Sequence, residues 1–496
     1  VAGLAWGGVV MRRAELATAR KAAGYTQESL AAALNVDRST VIRWEAGDYA
    51  PLPYLRPKLA RLLRHTPEQL RALIDGDPVS DRDTLSPDVE AACTWLDERL
   101  NWKPGTSARR VTARLPKTRR ELPTRQARRD RVSRTDVVAA LRAYYGSDPD
   151  YSLYTARFGG QALETSILTR PDWLDLHIPL NETTDALALA PTTSEPTADP
   201  VPAAALERLA EVEAAGVRLT NEQTYRLLDV DIRASAIRGT VGVAPFLEYA
   251  LTLDLLENEL LDALADGQPV KTGSLPLRDK YLPSLASAVD LSSRLCAGGV
   301  LALSAIARSA DTYGTADFAL LVQERSHLVV NAARQLTVIP KGFHQPMTDV
   351  HADTSLRNSL LRELEEELFG RTELDNTVSA PRAALPMHLA RLSKPMRSLL
   401  TTDGLRVECT GFGINLVSGN YEFGFLLTIS NMDFWSQFGG HIEANWEARR
   451  LKIYTSSNTD FMTCPESMQS WNNEGFFAFT SGLDRLRSSK SIPSDD

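Results

Sequence analysis

Residues 25–47, YTQESLAAALNVDRSTVIRWEAG, decide how the N-terminal part of this chain folds. Thr26 is suited to cap a helix that starts at Gln27. Leu30, Ala33 and Leu34 give that helix one apolar face, and the small Ala31 lets a second helix approach closely. Asn35 suits the left-handed conformation that ends a helix. Val36 then enters the core and Asp37 caps a second helix. Val41, Ile42 and Trp44 are expected to supply its apolar contacts, leaving Arg38, Ser39, Thr40 and Arg43 outside. Two short helices around a tight turn, the second with a polar outer face, fit the major groove of DNA.

This segment resembles the helix-turn-helix of phage-repressor and Cro-type regulators, the xenobiotic-response-element-like family. The resemblance runs roughly from Arg12 to Arg64. It rests on Thr26-Gln27-Glu28, Leu30-Ala31, Val36, Ser39-Thr40-Val41, Trp44-Glu45 and Gly47. It implies that Gln27 touches a phosphate, that Arg38, Ser39, Thr40 and Arg43 read bases, and that Arg20 and Glu45 form a structural pair. Asn35 stands where glycine is common, a change the left-handed turn tolerates.

The formal net charge of −8 hides an asymmetry. Residues 12–64 carry +5, residues 65–102 carry −6, residues 103–134 carry +10 and residues 135–496 carry −17. An anionic partner is therefore expected for the N-terminal quarter alone. The basic stretch, KPGTSARRVTARLPKTRRELPTRQARRDRVSR, has three prolines and few large apolar residues. It reads as an extended or partly disordered arm. Two roles stand open for it: tracking the phosphate backbone, or serving as a solvated linker or a strip docked on the acidic body. Trp102 is the one aromatic nearby, so base stacking is not expected.

At 496 residues the chain is too long for one core, and roughly three or four units are expected. It has no run of 18 apolar residues, the length a membrane span needs. At the N-terminus the apolar stretch precedes the charges, the reverse of a secretory signal, and Met11 reads as an alternative start. Cys93, Cys296, Cys409 and Cys464 are scattered, with no CxxC pair. That argues against zinc and redox motifs and suits a reducing cytoplasm. The expected division is an extension over 1–11, a helix-turn-helix domain over 12–75 and an acidic linker, helix and basic arm over 76–134. There follow a small α/β segment over 135–180, a linker over 181–204, a helical segment over 205–274, an α+β domain over 275–490 and a tail over 491–496. The fold class is thus multidomain: an all-α N-terminus, a mostly helical middle and an α+β C-terminal domain. Within the last, GVLALSAIA, FALLVQER, LTVIP and FGFLLTIS read as strands, with one charged helix over 355–369.

The second informative stretch is Leu336–Gly370, LTVIPKGFHQPMTDVHADTSLRNSLLRELEEELFG. Glu363, Glu366 and Glu367 share one helix face. Three carboxylates on one face suit Mg²⁺ or Mn²⁺, which could bridge diphosphate oxygens and activate water. Arg362 to Glu367 match the core of the Nudix hydrolase box, Arg-Glu-aliphatic-any-Glu-Glu, and the VIPKGF turn also resembles that fold. Thr354 stands where the box has a glutamate, Thr348 where it opens on glycine, and the closing glycine falls one place late at Gly370. The alternative reading is a solvated charged helix. His344 and His351 lie in the altered loop. Neither a GxSxG elbow nor a GxxxxGK[ST] loop occurs. The whole chain resembles long actinobacterial regulators that join a repressor-type N-terminus to a Nudix-like C-terminus through segments such as TRPDWLDL, LPLRDKYLP and LLVQERS.

The reading that follows is a cytoplasmic, homodimeric regulator of double-stranded DNA, needing no cofactor to bind DNA, whose Nudix-like domain senses a nucleotide or diphosphate metabolite. Two alternatives stand. One is a DNA-binding Nudix-type hydrolase with Arg362, Glu363, Glu366 and Glu367 as its catalytic set. The other is a degenerate Nudix fold serving as a protein-interaction scaffold.

Overall fold

The computed structural model describes residues 14–23, 25–34, 36–46, 50–52, 55–63, 65, 70, 73–74, 85–158, 161–191, 198–233, 235–310, 315–325, 335–347, 349–369, 392–402, 404–439, 448–456 and 470–489. Asn35, Cys464, the 1–11 extension and the 491–496 tail lie outside them. The chain divides into two compact units, Val1–Thr84 and Leu85–Asp496. No helix among the described residues is long and apolar enough to cross a membrane.

The first unit contains helices α1 (Ala14–Ala22), α2 (Gln27–Leu34), α3 (Arg38–Ala46) and α4 (Arg56–Leu63). Leu16, Leu30, Leu34, Val41, Trp44 and Leu59 are among the side chains of its core. In α3 the apolar i, i+3 pair Val41 and Trp44 points inward, at 1% and 2% exposure. Ile42, one position round the helix, is 39% exposed. The expectation that Ile42 packs inside is therefore corrected: a single turn facing a small bundle has room for one apolar ridge.

The second unit begins with α5 (Pro87–Arg99), α6 (Thr106–Arg129) and α7 (Arg134–Tyr145). Helix α6 replaces the extended arm expected of the basic stretch. Asp97 of α5 supplies its start, accepting from the amides of Thr106 at 3.0 Å and Ser107 at 2.8 Å. Val111 and Leu115 bury themselves with Leu96 of α5 and Leu206 and Leu209 of α8 (Pro202–Ala215). Pro116 and Pro123 sit on the exposed side of α6, where water can meet the carbonyls of Thr112 and Arg119 that they leave without a donor. Composition suggested disorder; tertiary packing of one narrow apolar stripe overrides it.

The middle of the chain is also corrected. Helix α8 stops at Gly216, which adopts the left-handed conformation with φ 65°. The expected helical stretch then gives way to a hairpin of β5 (Gln223–Arg233) and β6 (Ala236–Pro245). Helix returns at Phe246–Ala250 and at α9 (Leu255–Ala265). Tyr225, Leu227, Ile232, Ile237 and Val241 are the buried side of the hairpin, rich in residues that favour a pleated surface. A Cβ on Gly239 would lie 2.2 Å from the carbonyl oxygen of Asp229, which excludes any side chain there. Strand β4 (Asp185–Leu189), within the stretch expected to be a linker, pairs in parallel with β6 to complete a three-stranded sheet.

The large sheet runs in the order β1-β2-β11-β12-β7-β8-β13. Its strands are β1 (Ser152–Phe158), β2 (Gln161–Thr169), β7 (Gly298–Arg308), β8 (Asp317–Arg325), β11 (Leu405–Asn415), β12 (Tyr421–Ile429) and β13 (Ala448–Thr455). Short strands β3 (Ile178–Pro179), β9 (Leu336–Val338) and β10 (Lys341–Phe343) pair beside β11, β8 and β7. The 135–180 segment is thus continuous with the C-terminal sheet: β2 lies against β11. Strands β7 and β12 run parallel, Tyr421 beside Gly298, and their residues are buried on both sides. One side packs on α10 (Leu356–Leu368), with Leu360, Leu364 and Leu368 against a cluster that holds Val300 and Phe423. The other packs on α12 (Asn473–Ser488), with Phe476, Phe477 and Phe479 beside Leu301 and Leu426. Between the two helices in sequence lies α11 (Lys394–Thr401).

Candidate functional site

The N-terminal unit places its polar groups around the start of α2 and the outer side of α3. Thr26 caps α2: its hydroxyl accepts from the Ser29 amide at 3.0 Å, and the Ser29 hydroxyl accepts from the Thr26 amide at 2.8 Å. Beneath them Arg20 donates to Glu45 at 2.6 Å and to the carbonyl of Tyr25 at 2.7 Å. Glu45 also accepts from the Gln27 side-chain amide at 2.7 Å. This buried ion pair ties α1 to α3 and fixes where α2 begins. Arg20, Lys21, Gln27 and Arg38 line a surface concavity of about 650 Å³ there. Of the side chains expected to meet DNA, Arg38, Ser39 and Arg43 are exposed on α3, and Thr40 is half-buried. The exposed Ile42 joins them, a candidate that the hydrophobic pattern had assigned to the core. Its exposure was readable from its angular offset to Val41 and Trp44.

A family model described as helix-turn-helix matches residues 16–70. The N-terminal unit is a helix-turn-helix domain of the Cro/C1 type. That type of domain supports a DNA-binding regulator. No curated protein matches the chain.

In the second unit the charged helix α10 is not a solvated surface helix. Arg362, Glu365 and Glu367 are buried at 4%, 0% and 2% exposure, and Glu363 and Glu366 are half-buried. Each buried group has a partner. Arg362 donates to the carbonyls of Gln345 and Phe343 and to Glu363 at 2.8 Å. Glu365 accepts from the amide and hydroxyl of Ser393, both at 2.6 Å. Glu367 accepts from the Lys341 amide at 2.7 Å and from Gln323 at 3.3 Å. Strand β10 passes so close that a Cβ on Gly342 would fall 2.0 Å from the Glu363 carboxyl carbon. Glu363, Glu366 and Glu367 do share a helix, but Glu367 is spent on holding β10 and Glu363 on Arg362. Among the described residues no group of three or more His, Cys, Asp or Glu side chains is gathered for a metal. Two of the three carboxylates expected to hold Mg²⁺ or Mn²⁺ are thus already engaged within the fold.

The altered loop before α10 has structural work as well. The Thr354 hydroxyl donates to the Leu187 carbonyl of β4 at 2.9 Å, and the Thr354 carbonyl accepts from His344 Nε2 at 3.0 Å. Because that nitrogen carries the proton, His344 Nδ1 accepts from the Tyr421 hydroxyl at 2.9 Å. Burial pushes the His344 imidazole down to about 3, so it is neutral at physiological pH. His351 is exposed. Asp185 of β4 accepts from the amides of Leu356 and Arg357 and from the Ser355 hydroxyl, occupying the start of α10. Thr354, which stands where the box has a glutamate, therefore joins the start of α10 to the three-stranded sheet. Thr348 lies outside the described residues.

On the opposite side of the large sheet Lys341 reaches Glu474 of α12 at 2.7 Å. Glu422 of β12 is buried near both, and burial together with repulsion from Glu474 pushes its carboxyl up to about 8. The buried arginine of the LPLRDKYLP segment, Arg278, donates to the carbonyls of Leu256 and Val417 at 3.2 and 2.7 Å. That segment is a brace for the fold. Cys93, Cys296 and Cys409 are buried and unpaired with one another.

Proposed function

We propose that the chain is a cytoplasmic transcription regulator that binds double-stranded DNA as a homodimer through α3. Its second unit is of Nudix-like design and senses a nucleotide or another diphosphate metabolite. The observation that carries the DNA reading is the outer side of α3, where Arg38, Ser39, Ile42 and Arg43 face solvent while Val41 and Trp44 hold the helix down. A single domain of this size binds weakly, and a dimer on a two-fold-related site would supply the missing affinity. The partners of Glu363, Glu365 and Glu367 favour sensing over hydrolysis, since these three carboxylates serve the fold. An effector would act only by binding two states of the protein unequally.

The test is operator selection from random duplexes with the full chain, followed by binding of Arg38→Ala and Arg43→Ala. A base-reading arginine should cost about 1–3 kcal/mol on the selected site and relax the preference at one position. Equal binding of all duplexes by wild type and variants would sink the sequence-specific reading. Titrating nucleoside diphosphate derivatives into the operator complex tests the sensing half; affinity that ignores them all would remove it. Phosphate release that Glu366→Gln abolishes would restore the hydrolase.

A further inference from the structure

Helix α6 divides along its length. Its C-terminal third is neutralised within the second unit. Arg125 and Arg129 donate to Asp262 of α9 at 2.9 and 2.7 Å, Arg125 also pairs with Glu207 and Glu211 of α8, and Arg128 meets Asp266 at 2.5 Å. Burial pushes the Asp262 carboxyl up, but the two arginines outweigh it and hold the group below the usual carboxylate range. This third is the part that docks on the acidic body.

The N-terminal two thirds are different. Arg109, Arg110, Lys117, Arg119 and Arg120 are exposed and Arg114 is half-buried. Among the described residues no carboxylate pairs with Arg109, Arg110, Arg114 or Arg119. Only Glu121, on the same helix, approaches Lys117 at 3.9 Å and Arg120 at 3.4 Å. Arg109, Lys117 and Arg120 fall within about a quarter turn of one another at 100° per residue, opposite the buried Val111 and Leu115. Arg110 lies beside that stripe, its guanidinium 4.3 Å from the centre of the Trp102 ring. From Arg109 to Arg120 the helix rises about 16 Å, which matches about five steps of one DNA strand at 3.4 Å each.

We propose that this stripe of α6 is a second nucleic-acid surface, contacting backbone phosphates of the duplex to which the helix-turn-helix domain binds. It adds affinity without sequence preference. Exposed cations on one helix face, met among the described residues by no carboxylate beyond the exposed Glu121 beside Lys117 and Arg120, suit a repeating line of phosphates, and the chain already carries a domain for the same partner. The inference rests on the DNA-binding reading of the first unit and adds to it a contact that no base sequence governs.

The experiment measures the full chain binding a random duplex and the selected operator across a salt series. The triple variant Arg109→Gln, Lys117→Gln, Arg120→Gln is compared with wild type and with Arg109→Lys, Arg120→Lys. Each phosphate contact contributes about 0.9 to the slope of log K against log salt. The triple variant should lower that slope by about 2–3 and weaken both duplexes by the same factor, while the lysine variant keeps the wild-type slope. An unchanged slope in the triple variant overturns the proposal, including the case in which the variant alters self-association instead. Arg38→Ala separates the two readings: if it relaxes specificity while the triple variant leaves the slope alone, only the α6 proposal fails. A wild-type chain that binds no duplex at any salt ends both.

Discussion

Helices α3 and α10 are both short, both rich in charge, and both marked by a motif, yet they use their charge in opposite ways. On α3 the apolar side is one ridge, Val41 and Trp44; Arg38 and Arg43 face solvent, and one charge, Glu45, is committed to Arg20. On α10 the apolar residues fill one side and Arg362, Glu365 and Glu367 are buried too, each satisfied by a backbone or side-chain partner. Charge turned to solvent is available to a ligand. Buried charge with its hydrogen bonds complete is committed to the fold. Spacing in the sequence identifies both helices but says nothing of which side of this divide each one falls on.

The largest effect is expected where the helix-turn-helix domain itself depends on buried charge. Glu45→Ala leaves the Arg20 guanidinium buried without its carboxylate, with side-chain exposures of 7% and 10% in the intact pair. Removing one partner of such a pair costs about 3–5 kcal/mol. Denaturant unfolding followed by hydrogen exchange at α2 and α3 amides should show the N-terminal unit losing most of its protection. Protection that survives intact would mean that the pair is ornamental and that the apolar ridge alone sets the geometry of α3.

A smaller loss is expected from Glu367→Ala in α10. The Lys341 amide loses its acceptor and the Gln323 side chain is left with the Val338 carbonyl alone, at a cost of about 1–3 kcal/mol. The melting temperature of the second unit should fall in this variant, and Mg²⁺ or Mn²⁺ should not raise that of wild type. If the variant melts as wild type does and Mn²⁺ stabilises wild type alone, the carboxylates are a metal site and the contrast with α3 collapses.

These two helices also mark how far the sequence could be read. The helix-turn-helix was legible because its determinants are local: a cap at Thr26, a small residue at Ala31 and an i, i+3 ridge. The strands β7, β8 and β12 and helix α10 were legible by period. The β5–β6 hairpin was missed because YRLLDVDIR carries apolar residues at spacings that also suit a helix, Leu227 with Val230 and Leu228 with Ile232, and β6 also pairs with β4, far away in sequence. Helix α6 was missed because proline and arginine content outweighed one narrow apolar stripe that only α5 and α8 make meaningful. The partners of α10 are equally non-local: Ser393, Gln323 and Lys341 approach it from three other parts of the chain.

The smallest expected effect tests the residue on which pattern and structure disagree. Ile42 carries a branched apolar side chain on the outside of α3, 39% exposed, between Ser39 and Arg43 in a face otherwise polar. In the major groove the one apolar feature on a base edge is the thymine methyl group, so contact there is the chemistry such a side chain can offer. Ile42→Ala should then leave the stability of the N-terminal unit within about 0.5 kcal/mol of wild type, as surface substitutions do. It should weaken the selected operator by about 1 kcal/mol, near the value of burying one methylene group. Replacing the facing thymine by uracil removes the methyl from the other side. The two changes together should cost little more than either alone, the coupling expected of groups in contact. If Ile42→Ala instead destabilises the unit by the 2 kcal/mol or more typical of a core position, Ile42 belongs inside, and α3 would have to sit rotated from the orientation that exposes Arg38, Ser39 and Arg43. Additive losses at full stability would place Ile42 beside the groove but away from the methyl, leaving discrimination on α3 to its polar side chains.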